Sequence, residues 1–475
     1  MWQRLDRASG GWRLRHRDAA QDATMLVDPS LPPGTDRIPK IRHIVVLMME
    51  NHSFDNYLGT LGRGDGLPSP PPVNRRRDGT AVPSHHLATT KQLEHVPSQS
   101  WRSSHRQFNQ GRNDGFVASI EELFPGADVT VGMGYWTAQD IPFYAGLART
   151  FPLADHWFCS CLGPTFPNRR FLIAATAHGL IDDATASIID YPRSGTMFDL
   201  LNRHGIGWIN YHHVPPLQLI STRLAGNAGV RGARTIKLLA SQLLPNMKSW
   251  LQKEFQCTAD LYPLGLARTL GHLRHIERFF DHTATGQLPP VSIVDPDFQS
   301  YSEENPQDIE LGEGFAAAVI NAVMQGPGWP HTLLIWLYDE HGGYYDHVSP
   351  PPAAEPDNVT PQSLRGATGP LGWLIKHFGF SAQLPAQDSG DGRYDRYGFR
   401  VPAVVISPYA KPDYVSSTVF DHTSVLKLIE DKWNLPPLTH RDANAVAPWD
   451  LIDLSAPPPF LNPPTLPPPA IPWHH

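Results

Sequence analysis

The chain has 475 residues, of which 41% are hydrophobic and 18% are charged, and its formal net charge is -7. A chain of this length can bury a large core, in one big α/β domain or in two to three smaller ones. The acidic balance gives no basic surface field, and the single basic run, Arg75–Arg77, lies in a proline- and glycine-rich stretch typical of a solvated loop. No nucleic-acid partner is therefore expected. No run of 18 apolar residues occurs in the sequence, so no transmembrane segment is predicted.

The two ends of the chain differ in composition from its middle. Residues 1–40 are polar and basic, without the apolar segment of a secretory signal, so we expect a cytoplasmic protein, or a secreted one if a signal has been removed. We interpret 1–40 as an N-terminal extension and 41–450 as the main domain. Residues 451–475 are rich in proline, which predicts a polyproline-like appendage, with recognition of a partner as the alternative.

Apolar runs of strand length alternate with helical patterns along the main domain. This alternation predicts an α/β fold with a mostly parallel central sheet covered on both faces. The predicted strands are His43–Met49, Gly207–Tyr211, Val291–Asp295, Thr332–Tyr338 and Val401–Ser407. The predicted helices are Ile141–Arg149, Asn168–Ala177, Met197–Arg203, Leu264–Asp281, Leu311–Met324 and Thr423–Trp433.

Three polar segments interrupt this alternation, at about 60–115, 212–290 and 350–400. All three follow predicted core strands, so we expect long loop insertions that project from one edge of the sheet and shape substrate entry. The odd, small set of cysteines does not make a disulfide framework and favours free buried thiols. It consists of Cys159, Cys161 and Cys257.

Two of the predicted strands end in a pair of oxygen-bearing side chains. Glu50 and Asn51 follow the first strand, and Asp339 and Glu340 follow Thr332–Tyr338. Parallel strands deliver such side chains to the edge of the sheet where α/β proteins bind ligands. Carboxylate and amide oxygens suit a hard divalent cation. For one pair alone, a helix cap or a surface turn is the alternative interpretation.

The segment GPTFPNRR, residues 163–170, contains a candidate nucleophile. Thr165 precedes Pro167, and proline favours the first turn of a helix, so Thr165 is expected at or just before a helix N-terminus, where phosphate binds. A hydroxyl bound to a cation there can attack phosphorus. Asn168 and Arg169 are candidates for holding substrate oxygens. Simple helix capping by Thr165 and a surface position for Arg169 are the alternatives.

Several of the 23 histidines are candidate donors to a phosphoryl oxygen or acids for the leaving group. His105 precedes Asp114–Gly115, His347 follows a Gly-Gly turn, and His422 precedes the last predicted helix. Each of these histidines has a structural role as its alternative.

Five motifs in this order resemble a known family, and together they span about residues 42–433. They are MENHSFD at 49–55, GPTFPNR at 163–169, DEHGGYYDHV at 339–348, RVPAVVISP at 400–408 and FDHTSVLK at 420–427. The chain resembles the phosphoesterase family of bacterial and plant phospholipases C and the related AcpA-type acid phosphatases. This resemblance implies an alkaline-phosphatase-like fold, a three-layer sandwich around a mostly parallel sheet.

The resemblance also implies roles for individual residues. It implies a metal site formed by Glu50, Asn51, Thr165, Asp339 and Glu340, with Thr165 as the nucleophile. It implies that His105 lies in the phosphate pocket. A threonine nucleophile is more similar to the phospholipases, whereas the acid phosphatases carry serine.

One position departs from the family pattern. A Glu-His-Pro or Asp-His-Pro motif is expected upstream of the strand that precedes Asp339, but this chain reads Glu304–Asn305–Pro306. Asn305 can donate a hydrogen bond to a phosphoryl oxygen but cannot transfer a proton. His341, His347 or His422 is expected to compensate.

The preferred functional hypothesis is metal-dependent hydrolysis of phosphate esters through a phosphothreonine intermediate, with His105, Asn168 and Asn305 steadying the phosphoryl oxygens. The substrate is expected to be a phospholipid headgroup, which implies transient contact with a membrane surface. An acid phosphatase acting on soluble monoesters and a non-catalytic phosphate-binding relative are the alternatives. The identity of the metal is left open among Ca, Mg, Mn and Zn.

Loop aromatics would favour a lipid substrate if they formed an exposed rim, and burial in the core is the alternative for them. They are Trp101, Phe108, Phe116 and Trp136.

Overall fold

The computed structural model describes residues 27–183, 191–213, 257–262, 269–361 and 392–474, together with the backbone of 3–8 and 11–16. Its strands, numbered β1 to β14 in chain order, are Gln3–Ala8, Gly11–His16, His43–Met49, Val73–Arg75, Ala81–Pro83, His85–His86, Gly134–Tyr135, Leu153–Ala154, Trp208–His212, Leu273–His275, Val291–Val294, Thr332–Tyr338, Ala403–Ile406 and Val415–Ser416.

Helices follow most of the central strands. The α-helices, numbered α1 to α10, are Phe54–Leu58, Trp101–Phe108, Phe116–Leu123, Pro142–Thr150, Thr165–Ala174, Met197–Arg203, Ile276–Thr285, Ile309–Gln325, Thr423–Trp433 and His440–Ala443. Short 3-10 helices occupy Asn109–Gly111, Val129–Met133, Thr258–Asp260, Leu270–His272, Trp329–His331 and Pro448–Leu451. Among the described residues, we find no helix with the length and apolar character that crossing a membrane requires.

Eight strands form the central sheet, in the order β10-β9-β11-β3-β12-β13-β8-β14. The five strands from β10 to β12 are mutually parallel, and β13 is antiparallel to both of its neighbours. All seven residues of β12 are buried, so both faces of the sheet are covered. The helices α4, α7 and α8 pack together as one group, and α5, α6, α9 and α10 pack together as another. The predicted α/β class with a mostly parallel sheet and covering helical layers is confirmed.

The central pair of strands, β3 and β12, aligns without offset. His43 lies opposite Thr332 and Met49 lies opposite Tyr338. Both strands therefore end at the same level, and the residues that follow them emerge side by side.

The observed bounds of two elements correct the sequence predictions. Helix α5 begins at Thr165 rather than at Asn168, because the loop before it already places Thr165 in the first turn. The predicted helix Leu264–Asp281 is α-helical only from Ile276 among its described residues. Leu270–His272 forms a 3-10 turn, and Leu273–His275 instead pairs with β9 as a parallel edge strand. Tertiary pairing has overridden local propensity there. Residues 263–268 lie outside the described part.

The predicted insertions are described to different extents. Residues 60–115 contain the small strands β4 to β6 and the helix α2, so this segment is less loop-like than predicted. Most of the other two insertions, at 214–256, 263–268 and 362–391, lies outside the described residues. The three cysteines are free and buried, as predicted.

The proline-rich tail is extended, but it packs along the domain instead of projecting from it. The carbonyl of Phe460 accepts a hydrogen bond from the indole of Trp329 at 2.9 Å. Near the chain end, the ring of Trp473 stacks on Phe280 with 5.4 Å between centroids and lies edge-on to Phe315 at 5.5 Å. The tail therefore contributes to the aromatic packing around α7 and α8.

A buried glutamate anchors the loop between β11 and α8. The carboxyl group of Glu303 accepts hydrogen bonds from the hydroxyls of Tyr57 at 2.7 Å, Tyr144 at 2.6 Å and Tyr338 at 2.5 Å. Burial raises the pKa of Glu303 to about 8, although the three hydroxyl bonds lower it. The glutamate thus ties residues 302–307 to the end of β12.

Substitution of Gly314 tests how the tail is docked. A Cβ at this position of α8 would lie 2.2 Å from the carbonyl oxygen of Ile471, so the tail must shift to admit it. We expect Gly314→Ala to destabilise the protein, although alanine is normally better than glycine in a helix by about 1 kcal/mol. Trp473→Ala should then lower the free energy of unfolding less in the Gly314→Ala background than in the wild type. Chemical denaturation of the four proteins measures this coupling, and strictly additive effects would show that the tail is not docked on α8.

The carboxyl group of Glu303 predicts a pH dependence of stability. Its pKa is about 8 in the folded state and about 4.3 when unfolded, so the folded state binds the extra proton between these values. The stability that this group contributes is complete below about pH 4.3 and is lost as the pH rises to 8. Glu303→Gln should therefore reduce the fall in unfolding free energy between pH 5 and 8 by at least about 1 kcal/mol. The exposed Glu277→Gln is the control, and equal pH slopes in both variants would contradict the assignment.

Candidate active site

The ends of β3 and β12 build the centre of the site. The amide of Asp339 donates to the carbonyl of Met49 at 3.1 Å, which continues the parallel ladder one residue beyond the strands. The amides of Asn51 and Glu340 both donate to Oδ1 of Asp339, at 3.2 and 2.7 Å. Asn51 has a φ of 71°, a left-handed conformation that asparagine tolerates and that turns the chain sharply at the strand end. The two predicted pairs therefore do meet.

Two of these side chains carry buried oxygens that lack a partner. Within the described structure, Oε2 of Glu50 and Oε1 of Glu340 accept no hydrogen bond. Burial raises the pKa of Glu50 well above its usual value, and the carboxylates of Glu304 and Asp339 raise it further. Burial raises the pKa of Glu340 well above its usual value too, and Asp339 adds to this effect. Each of these two carboxylates therefore keeps one buried oxygen without a partner.

Arg169 is the cation that the chain itself supplies to this cluster. Its Nε donates to Oδ2 of Asp339 at 2.9 Å, and its Nη1 donates to Oδ1 of Asp295 at 3.1 Å. Its Nη2 donates to the carbonyls of Met48 and Met49, both at 3.2 Å. Burial by itself would lower the pKa of Arg169, but the surrounding carboxylates raise it. Arg169 therefore holds Asp339 against the end of β3, and its predicted contact with substrate stays a prediction.

Thr165 opens α5 beside the two strand ends. Its side chain is buried, and its hydroxyl donates to Oδ1 of Asn51 at 3.3 Å. The next amide, that of Phe166, donates to Oδ1 of Asp183 at 2.8 Å. A carboxylate therefore already occupies one of the N–H groups that a helix N-terminus offers to an anion. Burial raises the pKa of Asp183 to about 8, against the effect of this hydrogen bond.

Asn168 shapes the loop that presents Thr165. Its Nδ2 donates to the carbonyls of Gly163 at 2.8 Å and Pro164 at 3.0 Å, and its Oδ1 accepts from the amide of Cys161 at 3.0 Å. This is a positioning function, and the predicted contact of Asn168 with phosphate remains a prediction.

Two of the candidate histidines adjoin the acidic cluster. The Nε2 hydrogen of His422 is donated to the carbonyl of Asp339 at 2.6 Å. His341 places Nδ1 3.2 Å from Oε2 of Glu340 and Nε2 2.7 Å from Oε1 of Gln107. Burial lowers the pKa of His341 to about 3, so this imidazole is neutral.

His105 and Asn305 hydrogen-bond to backbone carbonyls. Nδ1 of His105 lies 2.8 Å from the carbonyl of Trp101, whose ring packs beside Gly163 in the loop that leads to Thr165. The amide of Asn305 donates to the carbonyls of Leu93 at 3.1 Å and Val96 at 2.7 Å. Their predicted contacts with the phosphoryl group stay predictions.

His347 belongs to a different cluster. Its ring and the carboxyl groups of Asp55 and Asp346 offer donor atoms within 4.8 Å of one another, which is close enough for one cation. However, Arg400 donates its Nε to Asp346 at 2.9 Å and its Nη2 to Asp55 at 3.0 Å. The buried guanidinium already bonds to both carboxylates and offsets part of their negative charge.

Sequence analysis missed two carboxylates beside the predicted set. Asp183 and Glu304 interact electrostatically with Asp339, and burial raises the pKa of Glu304 to about 7 with a further contribution from Asp339. Each is the second member of an acidic pair, Asp182–Asp183 and Glu303–Glu304, and Glu304 also stands in the Glu304–Asn305–Pro306 stretch, in which only Asn305 was assigned a role. Neither pair follows a strand directly, so the rule that found Asp339 could not find them.

For three of the four loop aromatics, burial in the core, the alternative to an exposed rim, is what the structure shows. Trp101, Phe116 and Trp136 are buried, and each belongs to a packed cluster. Phe108 is partly exposed and lies under the guanidinium of Arg396. Trp101 and Phe116 are buried by the packing of α2 and α3, and Trp136 packs in the main core, so these three rings give no support to a lipid-facing surface.

The donors at the strand ends fit a divalent cation. Three carboxylates, an amide oxygen and a hydroxyl converge there, and the only described guanidinium bonded to them, that of Arg169, leaves two carboxylate oxygens without partners. All of these donors are oxygens, the ligands that hard divalent cations prefer. The site therefore has the composition of a divalent-metal site.

Comparison with known proteins places the chain in a family. The model of the Phosphoesterase family matches residues 41–436. Phospholipase C A of Mycobacterium tuberculosis is 28% identical over 438 residues, which cover 85% of this chain and 75% of that protein. Non-specific phospholipase C6 of Arabidopsis thaliana is 27% identical over 457 residues, covering 90% of this chain and 75% of the relative.

For one further relative the match covers a smaller share of that protein's length, and for one solved structure the sequence identity is lower. Non-hemolytic phospholipase C of Pseudomonas aeruginosa is 30% identical over 415 residues, 83% of this chain but 54% of that protein, so the chain spans about half of this relative. A crystal structure of a protein in the alkaline phosphatase superfamily from Vibrio parahaemolyticus matches with a TM-score of 0.37 and 11% identity, over 91% of this chain and 78% of that one. A similarity at that score carries no structural conclusion.

The family match and the phospholipase C relatives confirm the predicted resemblance and the predicted enzyme class, a hydrolase of phosphate esters. With the match extending over 41–436, the chain belongs to the phosphoesterase family.

Proposed function

We propose that the chain cleaves the phosphate ester of a phospholipid headgroup in the manner of a phospholipase C, with Thr165 as the nucleophile. The observation that carries this proposal is the position of the Thr165 hydroxyl, 3.3 Å from Oδ1 of Asn51 at the N-terminus of α5, in a cluster where Glu50 and Glu340 each keep one buried oxygen without a partner. The names of the relatives in Mycobacterium and Arabidopsis support the phospholipid substrate.

The reaction proceeds in two displacements. Oγ1 of Thr165 loses its proton and forms a bond to phosphorus while the bond between phosphorus and the leaving-group oxygen breaks, and the leaving-group oxygen takes up one proton. The product is a phosphothreonine that still carries the headgroup. Water then attacks the same phosphorus, the bond to Oγ1 breaks, and the threonine hydroxyl is restored.

Backbone and side-chain groups of the site prepare this step. The first-turn amides of α5 and the helix dipole favour negative charge next to Thr165. Asp183 binds the Phe166 amide in the structure, so a phosphoryl oxygen that uses this amide must displace the Asp183 carboxylate. Arg169 fixes Asp339, and Asn168 fixes the loop before Thr165, so both act by positioning.

Glu50, Asn51, Thr165, Asp339 and Glu340 would hold a divalent cation. When bound, the cation acts as a Lewis acid that lowers the pKa of the threonine hydroxyl and offsets the charge on the phosphoryl oxygens. Oxygen donors favour Ca, Mg or Mn over Zn, although Zn also accepts carboxylates.

Two alternatives have specific support. Hydrolysis of soluble phosphomonoesters is favoured by the burial of Trp101, Phe116 and Trp136, which removes the exposed aromatic surface expected for lipid. A non-catalytic phosphate-binding protein is favoured by Asn305, which cannot protonate a leaving group. His422, next to Asp339, is the candidate that would replace this function.

Replacement of Thr165 tests the nucleophile. Thr165→Ala should lower kcat by at least about 10³-fold, because the attacking oxygen is lost. Thr165→Ser keeps a hydroxyl and should retain measurable turnover. The control is Thr150→Ala, which removes the hydroxyl of a half-buried residue on α4 whose hydrogen bond stays within that helix. Full activity in a folded Thr165→Ala protein would rule out the phosphothreonine.

Paired substrates test the ester class. Release of phosphorylcholine from phosphatidylcholine should exceed hydrolysis of p-nitrophenyl phosphate, and EDTA should abolish both. Restoration by Ca²⁺, Mg²⁺, Mn²⁺ or Zn²⁺ then identifies the metal. Faster cleavage of the monoester would favour the phosphatase. No hydrolysis of either compound with any metal would favour the non-catalytic alternative.

A further inference from the structure

A second group of metal-type donors lies on the wall of a cavity of about 780 Å³. Asp65, His156 and His347 all line this cavity. Nε2 of His347 lies 3.2 Å from Oδ1 of Asp65, and Nε2 of His156 lies 3.7 Å from Oδ2 of the same carboxylate. Two imidazoles from distant parts of the chain therefore face one aspartate from two sides.

Each imidazole is held from behind by a buried carboxylate. Nδ1 of His347 lies 2.7 Å from Oδ2 of Asp55, and Nδ1 of His156 lies 2.8 Å from Oδ1 of Asp155. A carboxylate that accepts the Nδ1 hydrogen leaves the lone pair on Nε2 and fixes the direction of the ring. This carboxylate–histidine arrangement is the usual support of a metal-bound histidine.

The cluster also has an excess of negative charge. Asp55, Asp65, Asp155 and Asp346 surround a single guanidinium, that of Arg400. Arg400 pairs with the side chains of Asp55 and Asp346, but it reaches Asp65 and Asp155 only at their backbone carbonyls, at 2.7 and 2.9 Å. Asp65, which faces both imidazoles, and Asp155, which supports His156, therefore carry carboxylates that Arg400 does not bond.

We propose that Asp65, His156 and His347 bind a divalent transition metal of the zinc class, with an open coordination position towards the cavity. Two histidines and one carboxylate are a usual ligand set for zinc sites that keep a place for water or substrate. In a tetrahedral site with bonds of about 2.1 Å, neighbouring ligand atoms are about 3.4 Å apart. The two imidazoles approach different oxygens of Asp65, at 3.2 Å to Oδ1 and 3.7 Å to Oδ2, so the rings and the carboxylate must turn towards a shared point to close the site.

This site differs from the strand-end site in its ligands and in its chemistry. Imidazole nitrogens select zinc, copper or nickel, whereas the oxygen donors around Thr165 suit hard cations. It also differs from the trio Asp55, Asp346 and His347, because Arg400 occupies those two carboxylates and His347 turns Nε2 away from them. The proposal does not depend on the proposed hydrolysis.

Zinc binding to the full-length protein tests the site. The chain is freed of metal with a chelator and titrated with Zn²⁺ in a calorimeter, and bound zinc is counted by atomic emission. His156→Gln and Asp65→Asn should each bind one zinc fewer than the wild type. Asp155→Asn should retain the site with a Kd raised about 10- to 100-fold, since only the supporting carboxylate is lost.

Two further variants complete the experiment. His86→Gln is the matched control, since His86 forms a surface pair with Asp140 at 2.8 Å without a second histidine facing the carboxylate, and it should bind as much zinc as the wild type. Glu340→Gln affects the strand-end site and should leave the zinc that depends on His156 in place. Equal zinc stoichiometry and Kd in the wild type, His156→Gln and Asp65→Asn would overturn the proposal. So would an equal loss in His86→Gln. Neither result bears on phosphate-ester hydrolysis.

Discussion

The in-register parallel pairing of β3 and β12 is the constraint on which the candidate active site depends. Because Met49 and Tyr338 lie opposite each other, the chain leaves both strands at one level and places Glu50, Asn51, Asp339 and Glu340 within one cluster. A slip of one residue would turn every side chain of a strand to the other face of the sheet. The continuous burial of both strands leaves no such freedom, since apolar side chains cover both faces.

A second consequence of this geometry is the concentration of like charge. Asp339 is satisfied by two backbone amides and by Arg169, whereas Glu50 and Glu340 keep oxygens without partners among the described residues. The fold therefore carries a local cost, because burying carboxylate oxygens without partners is unfavourable, and a bound cation would offset it. The cluster around Arg400 solves the same problem differently. There the chain supplies the cation for two carboxylates and leaves the outer ones, Asp65 and Asp155, facing imidazoles.

The positions of the helices decide what the strand ends face. α5 begins at Thr165 because Asn168 binds the carbonyls of the loop before it, and this places the hydroxyl against Asn51. In the same turn, the amide of Phe166 donates a hydrogen bond to the carboxylate of Asp183. The helix N-terminus thus presents a hydroxyl and an anion-binding amide next to the acidic cluster, an arrangement that suits attack on a phosphate ester.

The sequence by itself determined the α/β class, the strands His43–Met49 and Thr332–Tyr338 with their bounds, and the oxygen donors that follow them. These features are local: a buried parallel strand is an unbroken apolar run, and its end is marked by the first polar residues. Tertiary structure alone decided the rest. Leu273–His275 became a strand by pairing with β9, Trp101 and Phe116 became core, and Asp183 and Glu304 joined the acidic cluster from loops. The two histidines that face Asp65 are 191 residues apart in the sequence, so only the folded chain could place them together, because their partners are set by packing and charge rather than by any local pattern.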